Sequence, residues 1–231
     1  MERNESRRFW LRWVEANALA EMIGLGVAGM VGVQVFVSGP ANLGQALVSL
    51  APAILAGAFE GLVVGAAQWS VLRRALPRLR ARAWIGATVL GAFVAWCLGM
   101  LPSTIMSLAP QPAATAPASP SPFEGPLVYP LAMGMGAVLG VVLGLPQWAV
   151  LRRWTPRGWR WIAANSAAWA LGMPVIFLVA GGVSPGLPVA AIVVLVLATL
   201  ALAGAVVGAV HGAVLVRMLP IDSGEKAGIH A

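Results

Sequence analysis

The chain has 231 residues, of which 59% are apolar by side chain and only 10% are charged. A soluble domain carries about 25% charged residues, and disorder needs low hydrophobicity, so a water-soluble monomer and a disordered chain are both excluded. The single cysteine, Cys97, excludes an intrachain disulfide framework and a cysteine-based zinc site.

A membrane-crossing helix needs roughly 20 apolar residues to span about 30 Å of hydrocarbon. Six stretches meet this length. Span one covers about 14–37 and closes at Ser38-Gly39-Pro40. Ala18-Leu19-Ala20 has a small-x-small pattern, but the run from Phe9 is broken by Arg12 and Glu15 and is too short for a signal sequence. Span two, about 46–72, ends in an arginine-rich break, and span three, about 83–108, leads into the Pro/Ala/Ser-rich stretch 109–126. That stretch is expected to be an irregular external loop. Span four (about 127–151) ends on Arg152 and Arg153, and span five (about 159–180) on Gly181-Gly182 with Pro185 and Pro188. Span six runs from about 187 to 216, and 218–231 is expected to be a cytoplasmic tail. A transmembrane barrel would alternate apolar and polar residues in segments of about 10; these runs are continuously apolar. The expected fold is an all-α membrane protein, one domain over 1–231.

The 15 basic residues fall in four places: the N-terminus (Arg3 to Arg12), the loops after spans two (Arg73 to Arg82) and four (Arg152 to Arg160), and the C-terminal end (Arg217, Lys226). With six spans all four lie on one side, and positive residues stay cytoplasmic. Both termini are therefore expected inside. Anionic headgroups account for the net charge of +7 without nucleic acid. Arginine outnumbers lysine heavily, which fits a GC-rich bacterial genome; the expected address is a bacterial cytoplasmic (inner) membrane.

The sequence also matches itself. Odd spans open on Trp13-Val14-Glu15-Ala16-Asn17, Trp84-Ile85-Gly86-Ala87-Thr88 and Trp161-Ile162-Ala163-Ala164-Asn165. Even spans close on Gly61-x3-Gly65-x2-Gln68-Trp69-x2-Leu72-Arg73-Arg74 and Gly140-x3-Gly144-x2-Gln147-Trp148-x2-Leu151-Arg152-Arg153. A third copy, Gly204-x3-Gly208-x2-His211-Gly212-x2-Leu215-Val216-Arg217, has drifted. The expected unit is a helical hairpin used three times (13–74, 84–153, 161–217) with quasi-threefold packing. This pattern resembles a class of uncharacterised bacterial multi-pass proteins that reuse a Trp-opened helix followed by Gly-x3-Gly-x2-Gln-Trp-x2-Leu-Arg. The resemblance implies a fold and a membrane address, and no activity.

Lipid offers no hydrophobic force between helices, so small residues at i, i+4 admit close backbone contact. Gly57/Gly61/Gly65, Gly136/Gly140/Gly144 and Gly204/Gly208/Gly212 form such stripes, as do Gly24/Ala28/Gly32 and Ala87/Gly91/Ala95/Gly99. Tight packing is expected; a glycine-lined channel is the alternative. Trp13, Trp84, Trp161, Trp69 and Trp148 lie near arginines and are expected to anchor the interface.

Polar side chains at membrane depth are functional candidates. Asn17 lies about 6 Å inward of Trp13, and Gln68 about 7–8 Å inward of Arg73. Alignment of the repeats puts Thr88, Asn165, Gln147 and His211 at the same level, as a polar belt that serves either as hydrogen-bonding glue or as a ligand or ion site. Glu21 and Glu60 have no counterparts, and helical spacing lets one hairpin gather Asn17, Glu21, Glu60 and Gln68. No Lys or Arg lies at that depth, so the expectation is an uncharged acid or a bound cation. Glu15 is expected to pair with an N-terminal arginine. His211, between Gly208 and Gly212, suits hydrogen bonding or, alternatively, a flat macrocycle such as haem. The sequence requires no cofactor and offers no metal cluster.

HExxH and phosphate-loop motifs are absent, and Ser103, Thr104 and Ser107 have no histidine beside them. An enzyme is the weaker class. The leading expectation is a structural, accessory or scaffold protein whose partners are lipids, other membrane subunits or itself. A small transporter or channel using Glu21 and Glu60, and pigment binding through His211, are the alternatives.

Overall fold

The computed structural model describes residues 3–38, 43–107, 125, 127–180 and 186–219. The turns at 39–40 and 181–185, nearly all of the stretch 109–126, and 220–231 lie outside the described residues. So do the side chains of Ser103, Thr104 and Ser107. The described residues form six helices and no strand: α1 (Arg3–Ser38), α2 (Leu43–Ala75), α3 (Ala81–Ser107), α4 (Val128–Leu151), α5 (Arg160–Ala180) and α6 (Val189–Met218). Each is long and apolar enough to cross a membrane.

α1 begins at Arg3, about three turns before its apolar run. Phe9 and Trp13 are buried and Trp10 half-buried, whereas Arg7, Arg8, Leu11 and Arg12 face outward. The spacing of those three aromatics keeps the basic segment helical against the bundle. Met218 and Leu219, expected to begin the tail, are buried too. At the opposite end Gly186 takes a positive φ of 104° and turns the chain towards Pro188, the N-cap of α6. Gly186 meets no steric cost there.

The helices close into a ring. Each packs its backbone against its neighbours in sequence, and α6 completes the circle on α1; among the described residues non-adjacent helices meet only through side chains that reach the axis. Size is distributed inversely to a soluble protein. Ala28, Ala53, Ala132, Ala168 and Ala203 are buried, while Leu55, Leu90, Leu131, Val138, Leu171 and Val194 project outward. Lipid is as apolar as leucine, so large side chains gain nothing by turning inward, and small ones let backbones approach.

The closest approaches are three glycine seams. A Cβ on Gly65 would lie 3.0 Å from Cα of Ile85, on Gly144 3.2 Å from Cα of Ile162, and on Gly208 3.0 Å from Cα of Val14. One helical turn away, Gly61, Gly140 and Gly204 face the backbone at Thr88, Asn165 and Asn17. The seams therefore join α2 to α3, α4 to α5 and α6 to α1, all antiparallel and in one register. Each even helix presses its glycines against the odd helix that follows in the ring, not the one before it. Within the hairpins different residues meet: Gly24 lies against Glu60, and Gly172 against Val207. The glycine stripe expected on the odd spans is only partly used, because Gly32 and Gly99 face open space.

Candidate functional site: a buried polar layer beneath a tryptophan cap

The three helix-opening tryptophans are not interfacial anchors. Trp13, Trp84 and Trp161 are 0% exposed and meet inside the ring, with Trp161 centred 6.0 Å from both Trp13 and Trp84. Leu72, Leu151 and Leu215 pack with them, and Phe9, Leu76, Leu79, Met218 and Leu219 complete an apolar plug at the arginine-rich end. The anchoring expectation fails because each tryptophan shares its helix face with a buried polar residue one turn on (Asn17, Thr88, Asn165). That face points to the axis. Trp69 and Trp148 do sit at the rim, half-buried, under the guanidinium groups of Arg73 (5.2 Å) and Arg152 (5.4 Å). Glu15 is exposed.

Directly inside the plug lies the polar layer, every member of it buried. Asn17 Nδ2 donates to the Trp13 carbonyl at 2.7 Å, which turns its Oδ1 towards Gln68 Nε2 at 2.8 Å. Gln147 Nε2 reaches both Gln68 Oε1 (3.2 Å) and Thr88 Oγ1 (3.0 Å). Its Oε1 accepts from Trp161 Nε1 at 2.9 Å. Thr88 and Asn165 donate back to the carbonyls of Trp84 and Trp161. Trp13 Nε1 donates to His211 Nδ1 at 2.9 Å, which puts the ring hydrogen of a neutral His211 on Nε2. The layer thus links side chains from all six helices.

At two seams the tryptophan bonds the polar residue of the glycine-bearing helix: Trp13 to His211 and Trp161 to Gln147. At the third, Gln68 is already engaged with Asn17 and Gln147, and Trp84 Nε1 is left buried without a partner. This asymmetry gives a direct test. Trp84→Phe and Trp161→Phe each remove the same indole volume, but only the second breaks a hydrogen bond. Trp161→Phe should lower unfolding stability by about 1 kcal/mol more than Trp84→Phe, measured by denaturant unfolding in detergent. Equal losses would contradict the bonding described.

The two acids lie next to the layer. Glu60 is fixed by Trp96 Nε1 at 2.7 Å, a partner the sequence reading missed. Glu21 is only 2% exposed and its Oε2 has no hydrogen-bond partner. Both line a cavity of about 20 Å³, together with Asn17, Gln68, Thr88, Gln147, Asn165 and His211. That volume holds about one water. Asn17, Glu21, Glu60 and Gln68 are thus brought together by the first hairpin, and Gln147, Asn165 and His211 by the rest of the ring.

Room for a macrocycle at His211 is lacking. Gly212 is filled by Trp13 and Trp10, Gly208 by Val14 and Asn17, and the imidazole sits 5.6 Å from Trp13 and 5.1 Å from Trp161, centre to centre. The small neighbours that suggested a flat ligand admit α1 instead. Among the described residues no group of three or more His, Cys, Asp or Glu is placed to hold a metal ion. No family model, curated protein or solved structure matches this chain, so the geometry alone carries the functional reading.

Proposed function

We propose that the protein is a non-conducting scaffold of a bacterial inner membrane. It is built from three helical hairpins packed about one axis, with both termini on the cytoplasmic side, and it serves as an integral subunit for other membrane proteins or for itself. The observation that carries this reading is the plug: Trp13, Trp84, Trp161, Leu72, Leu151 and Leu215, all fully buried, close the axis at the arginine-rich end. A transporter needs a wet path there. The shared register of the three seams supports the triplicated hairpin, and the arginines gathered beyond the plug support the orientation.

Two measurements test it. In liposomes, the purified protein should carry no proton or alkali-cation flux above that of empty vesicles; flux that depends on Glu21 or Glu60 would replace the scaffold with a transporter. In a Cys97→Ala background, cysteines at positions 78 and 157 should label from the same side of the membrane. Labelling from opposite sides would overturn the orientation.

A further inference from the structure

We propose that the cavity between Glu21 and Glu60 is a binding site for one compact monovalent cation of about the size of a water molecule. Three observations converge. The cavity admits a single small occupant, since its volume of about 20 Å³ is that of one water. Its wall holds two carboxyl groups and, among the described residues, no Lys or Arg. Finally, no hydrogen bond from the wall reaches Glu21 Oε2. Asn17 and Asn165 each donate to a backbone carbonyl, Gln68 to Asn17, Gln147 to Gln68 and Thr88, and Trp96 to Glu60. None of these bonds ends on Glu21 Oε2, which is buried and unpartnered.

A buried carboxylate oxygen without a donor is costly at membrane depth. An occupant that brings positive charge removes that cost, and the amide and hydroxyl oxygens around it complete the shell. Ammonium does this by donating hydrogen bonds; potassium and sodium do it by direct coordination. A divalent ion is disfavoured, because magnesium keeps several waters and calcium takes six to eight oxygens, and the cavity has room for neither. His211, the one other titratable group in the wall, accepts from Trp13 at Nδ1, and the hydrogen on its Nε2 does not reach Glu21 Oε2. The site requires only the helix ring described above and is independent of whether the protein acts as a scaffold. Its failure would leave the flux and labelling tests untouched.

Thermal unfolding of the full chain in detergent tests this at constant ionic strength, with choline chloride replaced stepwise by ammonium, potassium or sodium chloride. Choline is too large for the cavity. A saturable rise in Tm is expected with at least one of the small cations, and their order identifies the preferred one. Glu21→Gln should raise the half-saturating concentration by about tenfold or more, the factor for losing one charge-assisted contact. Glu15→Gln, at an exposed carboxylate, should leave it unchanged. If Glu21→Gln does not fold, Glu21→Asp, which keeps the charge but shortens the reach, should still weaken the response. A Tm that follows choline throughout, or a cation response that survives at Glu21→Gln or Glu21→Asp with unchanged half-saturation, would overturn the site.

Discussion

Gly140→Ala is expected to destabilise the bundle by about 3 kcal/mol, the upper part of the usual range for overpacking. Alanine is the better helix former by about 1 kcal/mol, so intrinsic propensity predicts a gain. Geometry reverses the sign. A Cβ at Gly140 would fall on the carbonyl of Asn165 and within 2.6 Å of Cα of Ser166. Both are backbone atoms on α5 and no rotamer change can move them, so the helices must separate along the whole seam. The seam also holds the bond from Ser166 Oγ to the Ala137 carbonyl at 3.0 Å, which would open with it. Gly134 lies on the same helix with nothing within 4 Å of its would-be Cβ, and Gly134→Ala should be neutral or slightly stabilising. Unfolding in mixed detergent micelles checks both. Similar behaviour of the two variants would mean that the seam is looser than described.

Gln147→Leu is expected to have the second-largest effect, about 2–3 kcal/mol. An interhelical hydrogen bond in a membrane is worth about 0.6 kcal/mol on average and about 1.7 at most, so a single lost bond would be modest. Gln147 makes three, to Gln68, Thr88 and Trp161. Its loss leaves Trp161 Nε1 buried with no acceptor, and an orphaned buried donor costs about 1–3 kcal/mol. The partner variant removes that donor: in Gln147→Leu/Trp161→Phe the combined loss should be less than the sum of the single losses, by about 1 kcal/mol. Additivity would show that the bond contributes nothing, and the layer would then be held by shape alone.

Much of this architecture was legible in the chain. Helix number and approximate position follow from run length and hydropathy, and the polar belt followed from helical spacing once the repeats were aligned. Asn17, Gln68, Gln147 and His211 lie at one level because each is one or two turns from an aligned Trp or Arg. The face presented by Trp13, Trp84 and Trp161 was misread, since a tryptophan near arginines looks the same whether it faces lipid or the axis. The signal was present, though faint: each has a polar residue four positions on, and a polar residue at that depth turns its own face inward. Trp96 gave no such signal. Leu25 and Met173 occupy the aligned positions, so Trp96, like Glu60, stands outside the repeat. The bond that joins them unites two departures from the pattern.

Six membrane-length helices and the small-residue stripes that let them pack are written in the order of the residues, because hydropathy and spacing are local properties of a chain in a solvent that satisfies no backbone group. Which helix each stripe meets is set by how the six helices close on one another. The same packing decides that the axis ends in a plug and that Glu21 is left without a donor. Those outcomes depend on the closure of α6 onto α1, where Trp13 meets His211 across nearly the whole length of the chain.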